Sequence, residues 1–287
     1  MSATEVLPEP DVQDGIEYWN TQPASYDGVL GGFGNGSLPR VDALGSRQFL
    51  MHLRPDLCTV PSAVRPLSLP PATSSSYRTR AVDVGAGVGR VTADVLLHLV
   101  SDVVLLEPVE SFIGEAYRRG KASEDGTLVE DAVRSRWKGI QDKSKSVTLV
   151  QGTLQAFDPC SPLKGTKLVG RVGYVPEQDD LESKFDVIWC QWCLGHLSDA
   201  DLIAFFRRCK RALRDAKDSI IIVKENLCSD GEDGSARTVF DEDDSSLTRS
   251  DMAWKNAFAA AGLALLYEQV QRGFPAGLYE VKMYALR

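Results

Sequence analysis

The stretch Ala81-Val82-Asp83-Val84-Gly85-Ala86-Gly87-Val88-Gly89-Arg90 constrains this chain more than any other. A short β-branched run passes directly into three glycines at alternate positions and then into a helix-like stretch, Arg90–Val100. Glycine at such a turn lets the backbone bend sharply and lie close against a ligand, while the N-terminus of the following helix favours anionic groups. Strand, glycine turn and helix in that order make the opening βα unit of a parallel sheet.

The chain from Tyr77 onward continues in the same grammar. Runs of strand type follow at Val103–Glu107, Val147–Gln151, Phe185–Cys190 and Ser219–Lys224, separated by helical or polar stretches. Asp199–Leu213 is the clearest amphipathic helix, with Leu202, Phe205, Phe206, Cys209 and Leu213 recurring at helical spacing. Two last β-type runs, Leu263–Val270 and Leu278–Leu286, are joined by a turn at Gly273-Phe274-Pro275. The expected fold is therefore α/β, a Rossmann-like seven-stranded sheet, mainly parallel and closed by a terminal antiparallel hairpin. Within this core, residues 77–287, the polar and glycine-punctuated segments Ala122–Ser146 and Cys160–Ser183 read as surface insertions. Ahead of it, residues 1–60 read as a helical extension covering the site, with helices near Gly15–Asn20 and Ser46–Met51 flanking the glycine-dense turn Asp27–Gly36. Pro61 to Ser76 is rich in Pro and Ser and reads as a linker.

Bulk composition removes several classes. No apolar run is long enough for a membrane span, and the first residues lack the basic and apolar regions of a secretory signal. Six cysteines in such a chain are expected to be reduced thiols, which fits a cytoplasmic or nuclear protein. The net charge of −8 argues against direct nucleic-acid binding, which needs a concentrated basic surface. A monomer or weak homo-oligomer is expected.

The turn spaces its glycines as G-x-G-x-G, without the third glycine of the dinucleotide fingerprint, and Glu107 closes the next strand about twenty residues on. An acid there can accept hydrogen bonds from ribose hydroxyls. S-adenosylmethionine carries no pyrophosphate, so the shorter turn with its acid favours that cofactor, and the product S-adenosylhomocysteine, over a dinucleotide. After the third strand, Leu154 and Gln155 are candidates for packing on the adenine; an ordinary loop with a buried leucine is the other reading.

At the carboxyl end of the fourth strand stands Gln191-Trp192-Cys193-Leu194-Gly195-His196, where ligands of open parallel sheets bind. Cys190-Gln-Trp-Cys193 formally matches C-x-x-C, but it lies at the wrong turn for a redox motif and lacks the second pair that a zinc site needs. Beyond the fifth strand come Lys224-Glu225-Asn226 and the acidic run Asp241-Glu242-Asp243-Asp244. Such a run is ordinarily a solvated loop; at a strand's carboxyl end it also suits recognition of a cation.

Taken together, Tyr18-Trp19, Asp27-Gly28-Val29-Leu30-Gly31-Gly32-Phe33, Ser46–Leu50, Gly85–Arg90, Gln191–Leu197 and Asp243–Ser246 resemble, in order and spacing, the eukaryotic protein N-terminal methyltransferases. Those enzymes methylate the α-amine of proteins that begin Xaa-Pro-Lys once the initiator Met is gone. The resemblance implies that Gly85, Gly87 and Arg90 hold the methionine part of S-adenosylmethionine, with Arg90 on its carboxylate. It puts Glu107, where the family usually has Asp, on the ribose, Leu154 and Gln155 at the adenine, Gln191 near the methionyl group and Trp19 over the site. It places Leu30, Trp192, Asn226 and Tyr279 against the substrate's first residues and Asp241 on its third-position Lys or Arg. Asp244 and His196, supported by Ser246, would remove the amine proton. Readings left open beside it are methylation of a small molecule or another protein site, and an inactive cofactor-binding interaction protein.

Overall fold

The computed structural model describes residues 7–58, 77–129 and 136–287; the Pro/Ser-rich stretch 61–76 lies outside them. Three helices come first. Helix α1 (Val12–Thr21) starts where the Asp11 side chain accepts the N–H groups of Gln13 and Asp14, a local cap that satisfies donors the helix itself cannot. The Ser25 hydroxyl caps the short α2 (Tyr26–Val29) in the same way through Gly28 N–H. Helix α3 (Leu38–Leu53) carries Pro39 in its first turn and buries Leu38, Ala43, Phe49 and Leu50.

Ten strands follow: β1 (Arg80–Val84), β2 (Asp102–Glu107), β3 (Ser146–Gln151), β4 (Lys167–Gly173), β5 (Val187–Gln191), β6 (Ile220–Leu227), β7 (Thr238–Asp241), β8 (Ser246–Arg249), β9 (Leu265–Val270) and β10 (Glu280–Leu286). Eight form one sheet in the order β4-β3-β2-β1-β5-β6-β10-β9, and β7 and β8 pair separately. From β3 to β6 the pairing is parallel, and every residue of β1, β2 and β5 is buried, as helices on both faces require. The last strands turn antiparallel, β10 against β6 and β9 against β10. The helix after β1 opens as a π-turn (Thr92–Leu96) before α4 (Leu97–Leu99), whereas α5 (Glu110–Glu124), α6 (Asp199–Ala212) and α7 (Asp251–Ala260) are regular. Among the described residues no helix is long and apolar enough to cross a membrane.

Alternation along the strands makes two cores. Val82, Val84, Leu106, Ile188 and Cys190 meet Phe205 and Phe206 of α6 and Trp254 and Phe258 of α7 on one face. Ala81, Val103, Leu105 and Trp189 meet Val95 and Leu96, together with Phe49 and Leu50 of α3, on the other. The N-terminal helices therefore pack into the same core as the sheet.

Three expectations need correction. Seven strands stand in the anticipated arrangement, but segment 160–183 is not merely a surface insertion: its residues Lys167–Gly173 pair antiparallel with β3 as an eighth, edge strand. Segment 122–146 likewise does more than decorate the surface, because Trp137 and Ile140 are buried in the second core. A Cβ on Gly89, the third glycine of the turn, would stand 2.9 Å from the Trp137 ring, so that glycine answers to packing by this segment. The acidic run is the tip of the β7–β8 hairpin rather than an open loop.

Trp137→Ala should lower the unfolding free energy by about 3–5 kcal/mol, the usual cost of truncating a buried large aromatic. Urea titration measures it; a loss below about 1 kcal/mol would return the segment to the surface.

Candidate active site

Two cavities meet above the carboxyl ends of the parallel strands. The first, of about 940 Å³, lies over the glycine turn; the second, of about 1030 Å³, lies toward β6 and the β9–β10 hairpin. Trp19, Val29, Trp192 and His196 line both, and so form the partition between them.

The first cavity is built on the backbone of Gly85 and Gly87, with φ of +62° and +57°, a region that side chains other than glycine rarely enter. A Cβ on Gly85 would stand 2.3 Å from that of Cys193, so the loop after β5 packs directly on the turn. Glu107, at the end of β2, ties the turn down: Gly87 N–H donates to its Oε2 at 2.7 Å and Val109 N–H to its Oε1 at 2.9 Å. Burial pushes this carboxyl up to about 7, against the pull of those two donors. Leu154, Val109 and Phe112 supply an apolar wall. Gln155 also faces the cavity, and its amide donates to the His196 carbonyl at 2.9 Å.

Arg90 and Gln191 belong to a charged cluster with no exposure to speak of. Asp42 of α3 lies 2.5 Å from Arg90 and 2.5 Å from the Lys224 ammonium, and Gln191 donates to its two oxygens at 2.9 and 3.1 Å. The Trp189 indole donates to Gln191 Oε1 at 3.0 Å, and Lys224 reaches Ser46 at 3.0 Å and Gln271 at 2.8 Å. Two basic side chains, Arg90 and Lys224, thus share one carboxylate beneath the first cavity; burial lowers the Lys224 pKa against the pull of Asp42, and Arg90 forms part of the cavity wall together with the carboxyls of Asp83 and Glu107.

The second cavity is organised by the 3₁₀ turn Leu194–His196, held from both ends. Glu225 Oε1 accepts the N–H groups of Cys193 and Leu194, each at 3.0 Å, while Arg249 donates to the carbonyls of Leu194 at 3.2 Å and Leu197 at 2.6 Å. Burial pushes the Glu225 carboxyl up to about 7. Trp192, just before the turn, has φ of +54°, and its N–H donates to Lys224 O at 3.1 Å. A tryptophan in that region is strained and needs such support. The indole of Trp19 donates to His196 Nε2 at 3.1 Å. Burial lowers the His196 pKa, with Asp244 and the Ser245 backbone pulling the other way. Trp192 Nε1, His196 Nδ1 and Asp244 Oδ1 are buried with no hydrogen-bond partner, an arrangement that costs free energy unless a ligand supplies the missing contacts.

Leu30, Asn226, Asp244, Ser246 and Tyr279 all line the second cavity, and Gly85, Gly87, Arg90, Glu107, Leu154, Gln155 and Gln191 the first. Asp241 is the exception. It is exposed, lies outside both walls, and caps its own hairpin by accepting Asp243 N–H at 3.0 Å. Sequence reading passed over Asp42, Lys224, Glu225, Arg249 and Phe274. Of these only Lys224-Glu225 carried a signal, two charges inside an apolar strand; Phe274, whose ring centroid lies 6.2 Å from that of Trp192, looked like a turn residue. Cys190 and Cys193 are free thiols pushed well above their ordinary pKa by burial, and Cys193 donates to Val84 O at 3.1 Å.

Comparison with known proteins agrees with this geometry. A family model described as AdoMet dependent proline di-methyltransferase matches residues 9–142 and 163–287. Alpha N-terminal protein methyltransferase 1 of Schizosaccharomyces pombe is 36% identical over 97% of this chain and 97% of its own length. The human N-terminal Xaa-Pro-Lys N-methyltransferase 1 is 30% identical over 94% and 92%. A solved SAM-dependent methyltransferase from Leishmania major superposes with a TM-score of 0.65 at 29% identity, covering 96% of this chain and 82% of that one.

With each Glu107 oxygen already taking one backbone N–H, only the ionised carboxylate has the capacity to accept two further hydroxyls, such as a ribose placed there would offer. Affinity for S-adenosylhomocysteine should therefore rise with pH through about 7 and fall up to about tenfold per unit below it. Calorimetric titration across this range should show the slope in the native protein and flatten it in Glu107→Gln. An equal slope in the variant would assign the proton elsewhere.

Proposed function

The chain belongs to the AdoMet-dependent proline di-methyltransferase family, and on that footing we propose a division of labour between its two cavities. The protein is a SAM-dependent N-terminal methyltransferase. It transfers methyl groups from S-adenosylmethionine to the free α-amino group of proteins that begin Xaa-Pro-Lys. The observation that carries the division is the partition itself: the first cavity is glycine-floored with Arg90 in its wall, the second holds three unpaired polar atoms, and Trp19, Trp192 and His196 stand at their junction.

The first cavity fits the cofactor in each part. Its wall offers Arg90 to a carboxylate, with Gln191 beside it; Glu107 suits a ribose; the Leu154 wall and Gln155 suit an adenine; Gly85 and Gly87 allow close approach; Trp19 covers the opening. The bound cofactor supplies an electrophilic methyl group.

In the second cavity the substrate's amine is the group to be prepared. Its pKa of roughly 7.7–8.0 leaves much of it protonated at neutral pH, and the cation has no lone pair to attack with. Asp244, whose Oδ1 is unpaired, and His196 flank it, and Ser246 lies beside them. Asn226 holds the peptide through its amide, and Leu30, Trp192 and Tyr279 form an apolar slot that suits a proline, which brings no N–H to satisfy. The Trp192 face also attracts the methylated ammonium, by about 1 kcal/mol. Asp241, at the rim, suits the far end of a third-position Lys or Arg side chain. In this reading the protein acts as a monomer or weak homo-oligomer in cytosol or nucleus, on protein N-termini and not on nucleic acid or membranes.

Mass spectrometry of hexapeptides incubated with S-adenosylmethionine tests it. A Ser-Pro-Lys peptide should gain methyl groups and its acetylated form should gain none; equal methylation of the two would overturn the N-terminal assignment. Asp244→Asn should lower kcat by about 10²-fold or more with cofactor affinity within about twofold. Unchanged turnover would remove Asp244 from the chemistry.

A further inference from the structure

The hydrogen bonding of His196 is decided by a partner that can only donate. Trp19 Nε1 lies 3.1 Å from His196 Nε2, with the two rings edge to face, 6.4 Å between centroids. An indole N–H never accepts, so Nε2 must present its lone pair to it. A neutral imidazole held this way carries its proton on Nδ1. That nitrogen is buried without a hydrogen bond of full geometry, although the Ser245 backbone favours a proton on the ring; Oδ1 of Asp244 is likewise unpaired, and both residues wall the second cavity. Gly15, one turn before Trp19 on the same face of α1, lies against the same nitrogen: a Cβ there would stand 3.1 Å from Nδ1.

We propose that Trp19 is a positioning residue that selects the Nδ1–H tautomer of His196, so that the imidazole offers a fixed donor to the Asp244 side of the cavity and keeps its basic nitrogen turned away. The consequence rests on the N-terminal methyltransferase reading. The proton leaves the substrate ammonium for Oδ1 of Asp244, the amine nitrogen keeps the electron pair of the broken N–H bond, and His196 Nδ1–H orders the acceptor without taking the proton itself. The Trp19 bond serves the neutral ring, so it also disfavours the imidazolium. Other groups packed against His196 act on it differently. Asp244 and the Ser245 backbone favour the cation; Asp241 and Asp243 lie in the same hairpin, facing Tyr18 of α1; Gln155 engages only the His196 carbonyl; and Glu225 lies in the same cavity.

The chain has three histidines, His52, His98 and His196, so long-range ¹⁵N–¹H correlation of the full-length, ligand-free protein resolves each imidazole, with His52→Gln and His98→Gln giving the assignment. At a pH of about 7.5 His196 should show a protonated Nδ1 and a bare Nε2. In Trp19→Phe the Nε2–H form should appear, and the titration midpoint of His196 should rise by about half to one pH unit. Native protein with Nε2–H would overturn the proposal whether or not the variant folds; so would a Trp19→Phe spectrum with tautomer and midpoint unchanged. Because no substrate is present, this result stands apart from the peptide assay, whose failure would remove the methyltransferase reading instead.

Discussion

A carboxylate with no exposure, Asp42, holds the molecule's two halves in one arrangement. Burial alone pushes its pKa up, but Arg90 and Lys224 outweigh burial and keep it at about 2. A carboxyl depressed in this way stabilises the fold at any pH above its ordinary value, and that contribution is lost only as pH falls toward about 2. Each partner comes from a different element: Asp42 from α3, Arg90 from the end of the glycine turn, Lys224 from β6 and Gln191 from β5. Buried ions are costly unless every charge is met, so removing one would strand the others. The N-terminal helices are thus bound to the cofactor cavity by charge as well as by apolar packing.

The same cluster explains how one chain keeps two cavities distinct. Lys224 takes the N–H of Trp192 through its carbonyl and meets Asp42 through its ammonium. Its neighbour Glu225 holds the turn that carries His196. A single strand end therefore fixes the charged cluster beneath one cavity and the strained wall of the other. Arg249 completes the hold from β8, whose hairpin also carries Asp244. The acidic tip is placed by this hairpin and by α1, since Asp11 N–H donates to Ser245 Oγ at 2.8 Å.

How far the sequence reveals this depends on range. The strands β1, β2, β3, β5 and β6 are legible because each is a short run buried on both faces, and Gly85 and Gly87 because a left-handed turn leaves few alternatives. Glu107 and Gln191 are legible from their places at strand ends. Asp42 is not: its partners lie 48 and 182 residues away, and an acid on an amphipathic helix looks solvated. Trp137 and β4 are obscured by polar surroundings, because an edge strand and a lone buried aromatic need only a few apolar residues each. Asp241 is a case that no local pattern decides: the family resemblance put it on the substrate's third residue, and the fold sets it at the end of β7 with its side chain capping the turn, outside both cavity walls.

The central claim is that Arg90, held in the cavity wall by the buried Asp42 cluster, is what the cofactor's carboxylate answers. Calorimetric titration with S-adenosylhomocysteine and with its decarboxylated analogue tests this directly, since the two ligands differ in that group alone. Loss of one charge-assisted contact in a buried setting predicts binding weaker by about 30- to 100-fold for the analogue. Equal affinities would contradict the account and leave the cluster a purely structural device.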